Sequence, residues 1–184
     1  KKDETKTRKL NSIIKPFLLR REKGQVADDL PEKVVNIRYC SMSEEQKKIY
    51  EEEKNAFRSK IMDVIESDGI SKSHMILLQG LTQLRQIANH PLMVKPEYEG
   101  DSGKLEEVTY MIENSIPKKH KVLIFSQFVK HLKIVADYLK SKGTSYAYLD
   151  GSTKDRQAQV ERFQNDDSVS TFLISLKAGG TGLN

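Results

Sequence analysis

Three short apolar runs alternating with two amphipathic segments, all within residues 122–174, constrain the fold more than anything else in the chain. Residues 122–125, 146–149 and 169–174 have the length and apolar character of buried strands. Between the first two, Leu132, Val135, Ala136 and Leu139 mark one helix, which stops at Gly143, a typical residue just past a helix end. Between the last two, Ser152 can cap a second helix, with Asp155 at the capping-box position and Val160 and Phe163 on its inner face. Strand–helix–strand–helix–strand at this spacing predicts a parallel sheet with right-handed crossovers and helices on both faces. Ligands of such sheets gather outside the carboxyl ends of the strands.

Three loops fall at that edge: Ser126-Gln127, Asp150-Gly151-Ser152, and the stretch from Ser175 through Lys177, Gly179, Gly180 and Thr181 to Gly182. Glycines let backbone N–H groups come close to a ligand, hydroxyls donate, and Lys177 adds charge. A tight strand-to-helix turn without a ligand has the same composition. Three such loops on one edge favour the phosphate-binding reading.

The first half reads differently. Residues 1–25 hold nine Lys or Arg against Asp3, Glu4 and Glu22, so this segment carries the positive charge of a chain whose formal net charge is +5. A basic arm on a near-neutral body suits a polyanion partner as well as a solvated tail. Pro16 interrupts any helix through the apolar cluster at 13–19. Residues 33–40, KVVNIRYC, read as a strand, with Cys40 a small core residue. Ser43 and Gln46 form a capping-box pattern that opens a helix with Tyr50, Phe57, Ile61 and Val64 on one face. A second helix, about 74–88, has the stripe Leu77, Leu81, Leu84, Ala88 and ends at Asn89-His90-Pro91. A turn-rich stretch at 95–103 is the best internal boundary. A third helix, about 104–114, turns Leu105, Val108, Met111 and Ile112 inward.

Several chemistries are excluded. Ser102-Gly103-Lys104-Leu105 resembles the end of a Walker A loop, but Tyr98 stands at the first glycine position and Leu105 replaces the magnesium-holding Ser or Thr. No Asp-Glu pair follows an apolar strand. His74, His90, His120 and His131 lack ligand spacing, so no metal site is expected. One cysteine allows no internal disulfide and fits an intracellular compartment, and no stretch approaches a membrane span or a signal peptide.

The motifs resemble those of the SWI/SNF-type ATPases, double-stranded-DNA translocases of helicase superfamily two. FLLRREKGQVADDLPEKVVNIRYCSMSEEQKKIY is similar to the block joining the family's two motor lobes. LTQLRQIANHPLMV resembles its helix-ending block, and SGKLEEV the start of the second lobe. KVLIFSQF resembles motif IV, YLDGSTKDRQAQVERFQ the segment after it, and FLISLKAGGTGLN motif V. Six motifs in order cover nearly the whole chain, with spellings that lean towards bacterial members.

The resemblance implies an α/β, RecA-like parallel sheet with flanking helices, preceded by a helical insertion and a basic N-terminal segment. Residues 1–32 would be the basic linker from the first lobe, 33–100 a strand plus helical insertion, and 101–184 the C-terminal lobe through motif V. Ser126, Gln127, Gly151 and Ser152 would face DNA phosphates. Ser175, Lys177, Gly179, Gly180, Thr181 and Gly182 would couple the DNA track to the ATP cleft. Arg20 and Arg21 match the linker's paired arginines, where bracing the lobes is favoured over DNA contact. The partners implied are duplex DNA without sequence preference, ATP with Mg, held mainly by a first lobe outside this chain, and that lobe itself. The chain would then be part of a longer enzyme, inactive alone, acting in the nucleoid of a bacterium or the nucleus of a eukaryote. A non-catalytic α/β module for a phosphorylated ligand or protein, and a strand-separating helicase of another subgroup, are the competing readings.

Overall fold

A computed structural model of the chain describes residues 4–18, 33–68 and 70–180, so Arg20, Arg21, Thr181 and Gly182 lie outside the described residues. The chain divides into two compact units, Lys1–Arg38 and Tyr39–Asn184. In the first, helix α1 (Glu4–Ile14) passes into a single 3-10 turn at Lys15–Phe17, with proline in its first positions. The missing N–H and fixed φ of Pro16 end the α-helix there. None of the residues of α1 is buried.

Residues 33–40 correct two expectations. They form no strand. Val34, Val35 and Ile37 are more than two-thirds exposed, and Cys40 is exposed rather than in the core. Residues of high β propensity become a strand only by pairing, and no other described segment pairs with them.

The second unit opens with the helical hairpin α2 (Glu44–Asp68) and α3 (Ile70–Asn89). The capping box forms as expected: the Gln46 amide N–H donates to Ser43 Oγ at 3.2 Å, and the Ser43 N–H to Gln46 Oε1 at 3.4 Å. Gln46 does more than cap. It is only 1% exposed, and its Nε2 donates to the Ile87 carbonyl at 2.9 Å. The expected stripe on α3 is only partly covered. Leu84 and Ala88 are half-buried, Leu77 and Leu81 remain more than 40% exposed beside a shallow apolar groove with Phe57 and Ile61, and the completely buried residue is Ile87, outside the expected stripe. Two helices alone cannot cover both sides of such a stripe.

Helix α4 (Gly103–Ser115) is capped by Ser102, whose Oγ accepts from the Leu105 N–H. Ile112 is buried, but Met111, expected inward, is 46% exposed. Position 111 lies about 100° round the helix from 112, off the face that 105, 108 and 112 share.

The sheet follows: β1 (Val122–Ser126), α5 (Val129–Ser141), β2 (Tyr146–Leu149), α6 (Arg156–Asn165), β3 (Thr171–Ser175). Its order is β1-β3-β2 and both pairings are parallel. The central strand β3 is buried at all five positions, as a parallel strand covered on both faces must be. On one face Ile112 of α4 and Leu132, Val135 and Leu139 of α5 pack with Leu173. On the other, Val160 and Phe163 of α6 pack with Leu149, Phe172 and Ile174, the Phe163 and Phe172 rings 5.3 Å apart. Gly143 takes a φ of +66°, the left-handed conformation that ends α5. The start of α6 differs from expectation. Asp155, not Ser152, is the cap, its Oδ1 accepting from the Ala158 N–H at 2.9 Å.

Candidate phosphate-binding edge

Parallel pairing sets the three loops level. Ser126 lies in register with Ser175, and Leu149 with Ile174, so β1, β2 and β3 release their chains at one edge of the sheet. The structure therefore brings together Ser126, Gln127, Gly151, Ser152, Ser175, Lys177, Gly179 and Gly180. The basic turn before β1 lies at the opposite end. There Lys121 Nζ donates to the carbonyls of Phe163, Asp166 and Val169, which ties the end of α6 to the sheet.

Each loop has its own construction. After β1, Ser126 Oγ accepts from the Phe128 N–H at 3.1 Å and donates to the Phe128 carbonyl at 3.2 Å, holding a tight turn. That turn presents Gln127 outward, where its Oε1 accepts from Arg85 Nη2 of α3 at 2.5 Å. After β2, the organiser is Asp150. Its Oδ1 accepts from the Ser152 N–H at 2.8 Å and from Ser152 Oγ at 2.6 Å, and its Oδ2 from the Tyr148 hydroxyl at 3.2 Å. The Ser152 hydroxyl, foremost among these donors, holds the Asp150 carboxyl below the usual carboxylate range. Burial beside that carboxylate pushes the Tyr148 hydroxyl up to about 12.

After β3, the described part of the glycine stretch begins as a turn of helix. Ser175 caps a four-residue helix, α7 (Leu176–Gly179), its Oγ accepting from the Ala178 N–H at 3.3 Å. The Gly180 N–H closes the turn on the Leu176 carbonyl at 3.1 Å. Gly143 is the one glycine with positive φ among the described residues, so neither Gly179 nor Gly180 forms a left-handed turn. A Cβ on Gly180 would stand 3.3 Å from the Leu176 oxygen, tight but tolerable, while one on Gly151 would meet open space. Lys177 is exposed.

Among the described residues no group of three or more His, Cys, Asp or Glu is placed to hold an ion. The Ser175 hydroxyl accepts from the Ala178 N–H and keeps its own O–H to donate.

The sequence places Asp150 in its loop without giving it a role, although Asp followed by Gly-Ser is an Asx-turn signature that could have done so. Lys104 enters the sequence reading only as part of an incomplete Walker loop, and no local pattern singles out Arg85. Removing the Asp150 carboxylate leaves the half-buried Tyr148 hydroxyl, the exposed Ser152 hydroxyl and the Ser152 N–H without their acceptor. Asp150→Ala is therefore expected to lower stability by about 1–3 kcal/mol. Because the folded state holds this carboxyl low, its contribution is present above the ordinary Asp value near 4 and fades as pH falls through the folded value. Denaturant melts at pH 7 and pH 3 check both points. The wild-type advantage over Asp150→Ala should shrink at pH 3, and an equal advantage at both pH values would refute the assignment.

Residues 1–93 match the family model described as SNF2-related domain, and residues 103–184 that of the Helicase conserved C-terminal domain. The mouse "Chromodomain-helicase-DNA-binding protein 1-like" is 37% identical across 100% of this chain, which spans 21% of that protein. The solved "Sulfolobus solfataricus SWI2/SNF2 ATPase core domain" is 33% identical, with a TM-score of 0.69, covering 100% of this chain and 39% of that one. The same archaeal core "in complex with dsDNA" is 32% identical, with a TM-score of 0.69, over 91% of this chain and 36% of that one. The chain thus spans about a fifth of the length of the curated relatives it matches.

Proposed function

The chain belongs to the SNF2-related family, and from that premise we propose that it is the second motor lobe, with its preceding linker and helical insertion, of an ATP-driven translocase on duplex DNA. The observation that carries this reading is the level edge at which β1, β2 and β3 end, with Ser126, Gln127, Gly151, Ser152 and the start of the Ser175–Gly182 stretch side by side. Donors spread along one edge suit a polymer of phosphates better than one compact ligand. The archaeal relative solved with double-stranded DNA supports the choice of polymer.

In this reading residues 1–32 link the lobes, with Arg20 and Arg21 as braces, 33–100 carry the helical insertion, and 101–184 form the RecA-like lobe. ATP and Mg²⁺ are gripped mainly by a first lobe outside this chain. Thr181 and Gly182 complete the stretch that relates the cleft to DNA. The enzyme works where duplex DNA is, in nucleus or nucleoid, and phosphate contacts make it indifferent to base sequence.

The test is a titration of labelled duplexes of unrelated sequence at several salt concentrations. Affinities should agree between sequences, lie at roughly 10⁻⁴ to 10⁻⁶ M at physiological salt, and fall linearly on a log–log plot as salt rises. Tight binding to one sequence with little salt dependence would overturn the proposal.

A further inference from the structure

A cleft of about 460 Å³ opens beside the loop after β1, between α3, α4 and the sheet. It holds two cations, Arg85 and Lys104, and no carboxylate lines it. Neither cation forms an ion pair among the described residues. Each is held by a neutral amide oxygen instead: Arg85 by Gln127 Oε1, with its guanidinium 5.7 Å from the centre of the Phe128 ring, and Lys104 Nζ by Asn89 Oδ1 at 2.8 Å. Arg85 and Asn89 are four residues apart on α3, which puts the two holding points on one helix face, one turn apart.

The floor of the cleft has a third feature. His131 is 6% exposed, and its Nε2 has no hydrogen-bond partner. Burial first, then the charges of Lys104 and His90, push its imidazole down to about 4, so it is neutral at pH 7. Two cations without counter-ions among the described residues, above an unpartnered buried nitrogen, leave positive potential and hydrogen-bonding capacity unmatched in this cleft. Structural tethers between helices do not require such an excess, because amide–amide bonds would hold α3 and α4 as well. An anion at the mouth would complete it.

We propose that Arg85 and Lys104 hold a backbone phosphate of duplex DNA, extending the phosphate-binding edge from the Ser126-Gln127 turn onto the helical insertion. The inference rests on the DNA-translocase reading and adds residues to that same surface. Continuity selects the polymer over a free anion: Gln127, on the edge itself, is hydrogen-bonded to Arg85, so a strand tracking the edge passes the mouth of the cleft. The Gln127 amide then orients the guanidinium, and Asn89 orients the ammonium, before DNA arrives.

The experiment is a duplex-DNA titration against salt with the full-length enzyme and its Arg85→Gln and Lys104→Gln variants. Each variant should weaken binding several-fold for all sequences alike, and each should flatten the slope of log K against log salt by about one. Arg85→Lys and Lys104→Arg should keep the wild-type slope, with melting temperatures showing that all four are folded. Wild-type slopes in both Gln variants would overturn the inference while leaving the edge reading intact, provided Gln127→Ala still weakens binding. A slope lost equally in the charge-preserving variants would mark the residues as structural and also overturn it. Failure of the unmodified enzyme to bind duplex DNA would instead remove the reading on which it rests.

Discussion

Gly103→Ala is expected to destabilise the second unit by about 3 kcal/mol, or about 10 °C of melting temperature for a chain of this size. A Cβ at this position would stand 1.7 Å from the Ser41 carbonyl oxygen and 2.9 Å from its carbon. The clash is with backbone, so no rotamer change relieves it. The surroundings resist a shift as well. The Gly103 N–H donates to Gln46 Oε1 at 3.3 Å, and Ser102, completely buried, donates from its Oγ to the Asn89 carbonyl at 2.8 Å. Moving the start of α4 would therefore disturb α2 and α3 together. Two other glycines calibrate the effect. At Gly80 a Cβ meets only the Phe57 ring, at 2.9 Å, and at Gly151 it meets nothing. Melting temperatures should fall in the order Gly103→Ala most, Gly80→Ala less, Gly151→Ala within experimental scatter. A Gly103→Ala protein that melts with the wild type would show that α4 is not pinned by Ser41 and Gln46.

That glycine illustrates which parts of the molecule were legible in the sequence. Local signals were reliable. The short apolar runs and the period-3.6 stripes found all three strands and their helices, the Ser43–Gln46 box opened α2, and Gly143 closed α5. The carboxyl-edge rule then placed the three loops together without any coordinates. What failed was non-local. Residues 33–40 have strand propensity but no partner, Met111 and Leu77 needed a covering surface, and Gly103 has its cause 62 positions upstream. Within the site, Asp155 caps α6 because the helix starts at Arg156, while the Ser152 hydroxyl donates to Asp150 instead. Composition allows the stretch after β3 to be a ligand loop or a tight strand-to-helix turn, and it does not reveal that Ser175 caps a turn of helix there. Arg85 and Lys104 meet only in space, since α3 and α4 are joined through a long turn.

The largest expected effect is on turnover. The polypeptide of residues 1–184 should release phosphate from ATP at background rate, with or without duplex DNA, while the full-length enzyme turns over. Hydrolysis needs a phosphate cradle with its metal on one wall of the cleft and a cation opposite. An arginine finger alone contributes about 10³–10⁵ in rate in enzymes of this chemistry. The stretch that resembles the end of a Walker loop, Ser102-Gly103-Lys104-Leu105, has two of its backbone donors in use within the fold. The Gly103 N–H is bound by Gln46 and the Leu105 N–H by the Ser102 hydroxyl. No N–H of this turn that a Walker loop would aim at phosphate is left for Gly103 or Leu105 to offer, and Leu105 supplies no hydroxyl for Mg²⁺. A phosphate-release assay on the polypeptide, run beside the full-length enzyme with saturating duplex, decides the matter. Turnover by residues 1–184 above the no-enzyme blank would mean that the chain assembles a complete nucleotide site from these loops, and the division of labour between two lobes would have to be abandoned.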